Sequence, residues 1–217
     1  MIGMGSVLLM VFPSKAPWMM DGFFTPVIAF EFIQSQSEVY QLFGLPGSPD
    51  QLFMSQAMIK AMDLGNRLDY IFMVLYASFL FFFSFVCAKN TGQRHYYAAC
   101  ILSFIILVAD IMENIQLLRI TAKITHHDFG KELFLLHWFT WIKWGGITIV
   151  FLILAPYFFK GRIYSKLIAA MGISSFILYV FAYFNRSILN EFFGLSVSLM
   201  FLMMIVYSFI FTTESGK

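Results

Sequence analysis

Charge is scarce in this chain. Only 12% of its 217 residues are Asp, Glu, Lys or Arg, about half the roughly 25% that soluble domains carry. A mean hydropathy of +0.79 and an apolar share of 60% place it with membrane proteins, in a single domain. The net charge of +2 comes without a dense basic cluster. That argues against a nucleic-acid partner and leaves the lipid bilayer as the expected surroundings. Cysteine is nearly missing as well. Cys87 and Cys100 close one apolar run and open the next, which suits small core residues better than a disulfide framework. The sequence also holds no H-E-x-x-H, no G-x-S-x-G, no P-loop and no EF-hand-like loop, so the familiar zinc, serine-hydrolase, nucleotide and calcium signatures are all absent. His126 and His127 are adjacent in the stretch T-H-H-D-F-G-K and read as solvated loop residues rather than a chelating pair. The opening M-I-G-M-G-S-V-L-L-M-V-F lacks a basic flank, and Ser14-Lys15-Ala16 is a poor cleavage match. No removed signal peptide is expected.

Long apolar runs are what the chain has in quantity. A spanning helix needs about 20 mainly apolar residues, and five stretches qualify, at 70–88, 96–120, 133–159, 163–184 and 188–212. The expected fold is therefore an all-α polytopic helical membrane bundle. Short connections such as K-N-T-G-Q-R and K-G-R make consecutive helices antiparallel neighbours. Three parts follow: residues 1–24 as a short first span or anchor, 25–66 as interfacial helices, and 67–212 as a five-span bundle. Of the two readings of residues 1–24 we expect a short span, giving six crossings. Thr25-Pro26 is a good helix start, predicting one helix through Phe43 that stops at Gly44-Leu45-Pro46-Gly47. A second starts near Pro49, and both are expected to lie at the interface. Lysine and arginine counts in the short loops favour both termini on the cytoplasmic side.

Against this background, residues 107–119 stand out: L-V-A-D-I-M-E-N-I-Q-L-L-R. Asp110, Glu113 and Asn114 fall at i, i+3 and i+4, one face of a helix. A central Asp costs about 2.5–3.5 kcal/mol on the insertion scale, while each Leu, Ile, Phe or Val returns only about 0.3–0.6. The face must turn inward and find partners. Antiparallel packing brings the start of the 67–70 region, the end of 110–119 and the start of 137–144 into one half of the bilayer. Lys143 is the one cation far inside a span, and its expected counter-ion is Asp110 or Glu113. Asp69 and Glu31 are expected at the rim, with Asn185, Arg186, Asn190 and Glu191 on the same side. His137 shares a helical face with Trp141 and Trp144 and reads as a packed histidine. Trp138, Trp141 and Trp144 read as an interfacial belt rather than a cation cage.

The set F-E-F-I at 30–33, R-L-D-Y at 67–70, D-I-M-E-N at 110–114 and I-K-W at 142–144 resembles a family of small, uncharacterised bacterial polytopic membrane proteins. The likeness covers about residues 25 to 155. It implies a bacterial inner-membrane location and marks positions, but it assigns no chemistry.

The expected site is a buried pocket of Glu31, Asp69, Asp110, Glu113, Asn114 and Lys143. It holds more carboxylates than cations, and such a surplus calls for a metal, a proton or a cationic ligand. The leading reading is a membrane protein handling a small solute, cation or proton, with no cofactor. An alternative is an intramembrane enzyme on a lipid or isoprenoid phosphate, with Mg²⁺ held by Asp110, Glu113 and Asn114 through oxygen. A further alternative is a non-catalytic subunit or assembly factor. Neither catalytic residues nor oligomeric state can be read from the sequence.

Overall fold

The computed structural model describes residues 1–16, 18–44, 49–125 and 128–214, with side chains for all of these except 49–54 and 211–214. Among these described residues eight helices follow in order: α1 (Ile2–Val11), α2 (Pro26–Glu31), α3 (Gln36–Phe43), α4 (Pro49–Thr91), α5 (Tyr96–Lys123), α6 (Gly130–Phe159), α7 (Ile163–Phe184) and α8 (Ile188–Glu214). No strand occurs among the described residues. Among the described residues, five helices are long and apolar enough to cross a membrane: the Ser55–Thr91 part of α4, then α5, α6, α7 and the Ile188–Ile210 part of α8. The shortest, α7, has 22 residues, so it reaches about 33 Å at 1.5 Å per residue. That covers a hydrocarbon core of about 30 Å.

α1 is different. Its ten residues reach only about 15 Å, half the core, so the sixth crossing expected from the sequence is not there. α1 packs along α4, with Gly5 beside Phe72 and Gly65 beside Phe12. Five crossings put the segment before α4 and the end of α8 on opposite faces.

α6 is the hub. More than half of its apolar window is buried, a larger share than in any other spanning helix. Two glycines let its neighbours approach: a Cβ on Gly145 would meet the Tyr179 hydroxyl of α7 at 2.5 Å, and one on Gly146 would meet Ile106 of α5 at 2.6 Å. Small residues at helix crossings serve membrane bundles because lipid supplies no hydrophobic drive between helices. Aromatic rings then close α8 onto α4, through Tyr76–Phe201 at 5.7 Å and Phe83–Tyr207 at 6.2 Å, with Phe151 of α6 against Phe201 at 5.6 Å.

The segment before α4 breaks where one helix was expected. α2 stops after Glu31, and α3 begins anew at Ser35. The reason is a helix start signal, S-Q-S-E: Ser35 Oγ accepts from the Glu38 N–H at 3.3 Å, and the Glu38 carboxylate accepts from the Gln34 N–H at 2.8 Å. Such a capping box satisfies donors that a continuous helix would not have freed. Gly44 ends α3 in the left-handed region, at φ 72°; the rest of the expected stop, at 45–48, lies outside the described residues. Phe30, Ile33, Val39, Leu42 and Phe43 are all buried, so the apolar faces of α2 and α3 pack on protein.

Candidate functional site

Asp110 and Lys143 stand equally far along α5 and α6 from the loop joining them, about 20 Å at 1.5 Å per residue. At that level the Lys143 ammonium is ringed by carboxylates. It lies 3.2 Å from Glu31 Oε2 and 3.4 Å from Asp110 Oδ1, and pairs directly with Glu113 Oε2. The Lys143 side chain is 7% exposed and that of Glu113 fully buried. Burial of this kind is tolerated only with close partners and further hydrogen bonds, and these are present. Thr140, one turn before Lys143, donates to Glu113 Oε1 at 2.7 Å, and Trp144 Nε1 donates to Glu31 Oε2 at 2.9 Å. Tyr76 of α4 donates to Asp110 Oδ2 at 2.5 Å. The ammonium also sits 4.9 Å from the centre of the Trp144 ring.

Glu31 reaches this centre because the break after α2 leaves it at a helix end, held on three sides. The Glu191 carboxylate of α8 accepts from the Phe24 and Thr25 N–H groups, at 3.0 and 2.8 Å. Arg186 donates to the Phe32 carbonyl at 3.0 Å and pairs with Glu38. Thr140 lies 3.2 Å from the Glu31 carbonyl. Glu31 is therefore a direct partner of Lys143, where the sequence placed it at the rim.

Asn114 faces α4, donating to the Asn66 carbonyl at 2.9 Å and to Asp69 Oδ2 at 3.1 Å. Asp110, Glu113 and Asn114 thus share a face but do not converge on one point: Glu113 is bound by Lys143 and Thr140, Asn114 by α4. One turn further out, Thr121 donates to Asp63 at 2.7 Å. Asp63, Asn66, Asp69 and Tyr76 form a row along α4, giving a polar seam from the α5–α6 loop side to mid-bundle. Beyond it the row gives way to Phe79, Leu80 and Phe83, packed on Phe158, Phe201 and Tyr207. Among the described residues, no group of three His, Cys, Asp or Glu side chains is set to hold a metal ion.

A cavity of about 420 Å³ opens at the cluster. Glu31, Asp69, Asp110 and Lys143 form its inner end; Phe72, Tyr76, Ile147, Val197 and Phe201 form walls, with α1 on one side.

The remaining sequence candidates lie elsewhere. Cys87 and Cys100 are both buried and free. His137 packs against Trp138 and Trp141, while Trp141 also meets Tyr179 and Tyr183 and Trp144 meets Phe193, so the tryptophans form no cage. His126 and His127 lie outside the described residues. The sequence reading missed Tyr76, Thr140, Asn66 and Trp144. Three of these were within reach of spacing: Tyr76 is seven residues after Asp69, Asn66 three before it, and Thr140 three before Lys143, each on the same helix face as its neighbour.

No family model, no curated protein and no solved structure matches this chain.

Proposed function

We propose that this membrane protein binds a small cation or exchanges protons at the Glu31–Asp69–Asp110–Glu113–Lys143 cluster, as part of handling a small solute. One observation carries the reading: among the described side chains, three carboxylates surround the Lys143 ammonium and a fourth, Asp69, lines the same cavity. In a low-dielectric interior such a surplus is neutralised by protons or by an arriving cation. The cavity at the cluster gives either one a place to act.

The test is the thermal midpoint of the purified chain in EDTA across the neutral pH range, with and without Asp69→Asn. Lipid or detergent is held constant. The midpoint is expected to change with pH in the native sequence and to change less in the variant. A flat profile in both overturns the proposal. A midpoint indifferent to pH but raised by Mg²⁺ favours the metal-dependent enzyme instead.

A further inference from the structure

The cavity is not a polar chamber. Its inner end is charged, but the rest is mostly apolar, with Ile2, Leu9, Phe72, Phe201, Leu202 and Ile205 among its walls. Leu9 and Leu202 at its edge are exposed on the outside of the bundle, where apolar spanning helices face lipid. The way in therefore runs sideways, between α1 and α8. The volume lies near the lower end of the roughly 300–1,000 Å³ of small-molecule sites, room for one narrow chain.

The donors and acceptors decide the head group. Lysine has three N–H donors, and here Glu31, Asp110 and Glu113 surround them. Trp144 donates to Glu31 and Tyr76 to Asp110. The cavity's two serines are committed as well, Ser6 to the Ile2 carbonyl and Ser198 to the Gly194 carbonyl. Trp144, Tyr76 and both serines thus spend their donors on the protein itself. Acceptors remain: Asp110 is buried, and its Oδ1 takes no hydrogen bond, having only the 3.4 Å approach of Lys143. Asp69 stands beside it, its Oδ2 accepting from Asn114. At this inner end an anionic head would face the Asp69 and Asp110 carboxylates, whereas an ammonium would meet acceptors on two sides.

We infer that this cavity binds a single-chain amphipathic amine drawn from the bilayer, its ammonium at Asp69 and Asp110 and its chain between Phe72 and Phe201. The inference rests on the cluster being a cation or proton site and adds the chemical class of the ligand.

The full chain in lipid nanodiscs is labelled with a long-chain primary amine carrying a mid-chain diazirine, and the modified residues are mapped by mass spectrometry. The same chain with a carboxylate head is the control probe. The amine is expected to mark α4 and α8 around Phe72 and Phe201, and dodecylamine but not dodecanoate should compete. Asp69→Asn and Ser198→Trp, the latter an exposed position that fills the cavity, should each cut this labelling by about tenfold, equivalent to about 1.4 kcal/mol of binding. Equal labelling by the carboxylate probe, or labelling unchanged in both variants, overturns the inference. If labelling fails while the pH dependence of the melting midpoint persists, the amine is wrong and the cation or proton reading stands. If labelling holds but the pH dependence is absent, the cluster takes the ammonium without exchanging protons, and the proton half of that reading falls.

Discussion

Tyr76 shows how closely the cluster's energy is tied to single side chains. Its hydroxyl donates to Asp110 at 2.5 Å from a position 5% exposed. A hydrogen bond to a charged group contributes about 1.5–3 kcal/mol. Tyr76→Phe keeps the ring packing on Phe72 and Phe201 and removes only that bond. Reversible unfolding in mixed detergent micelles should report a loss of about 1.5–3 kcal/mol; an unchanged midpoint would mean that Asp110 does not depend on Tyr76. Such residues were only half legible. Aspartate and glutamate inside an apolar run announce themselves, because lipid cannot accommodate them. A tyrosine, a threonine or a tryptophan among 19% aromatics carries no such penalty and looks like filler until its partner is located. The hydrogen bond of Trp144 depends on Glu31, which arrives from more than a hundred residues away in sequence. No periodicity within α6 encodes that.

At the scale of elements, α2 and α3 deliver Glu31. Their docking rests on two polar anchors, Glu191 against the start of α2 and Arg186 against Phe32 and Glu38. Burial tends to push the Glu38 carboxyl up, but the hydrogen bond and charge of Arg186, together with the Gln34 N–H, outweigh it and hold the group below the ordinary glutamate value. A carboxyl depressed in the native state stabilises the fold above its unfolded value, and the stabilisation is lost as pH falls through the depressed native value. Acidification is therefore expected to loosen residues 24–43 before the spanning helices. Hydrogen exchange should show faster exchange there at acid pH, and Glu38→Gln should reproduce it at neutral pH. Uniform exchange across the chain, or a silent Glu38→Gln, would count against the anchor. The element boundary was written in the sequence as S-Q-S-E, but the apolar residues on both sides continue a helical pattern. That pattern predicts one continuous helix, and the cap prevails over it in the fold.

For the whole molecule, the five long helices were readable from composition and length, since hydrocarbon imposes one requirement on every crossing. α1 was not, because a ten-residue apolar helix satisfies the composition of a span without its length. The consequence is functional: α1 lies on α4 beside the cavity rather than adding a sixth wall to a closed bundle. The bundle then encloses one charged centre drawn from α2, α5 and α6, with α4 behind it, so breaking the centre should register in global stability. The most direct measurement compares Lys143→Met with Lys143→Met combined with Glu113→Gln, by reversible unfolding in mixed micelles. Removing one partner of a buried pair strands a charge, at about 3–5 kcal/mol. The single variant should lose stability on that scale, and the double variant should recover a substantial part of it. A double variant as unstable as the single one, or less stable, would contradict a Lys143 ammonium held between carboxylates in the membrane interior.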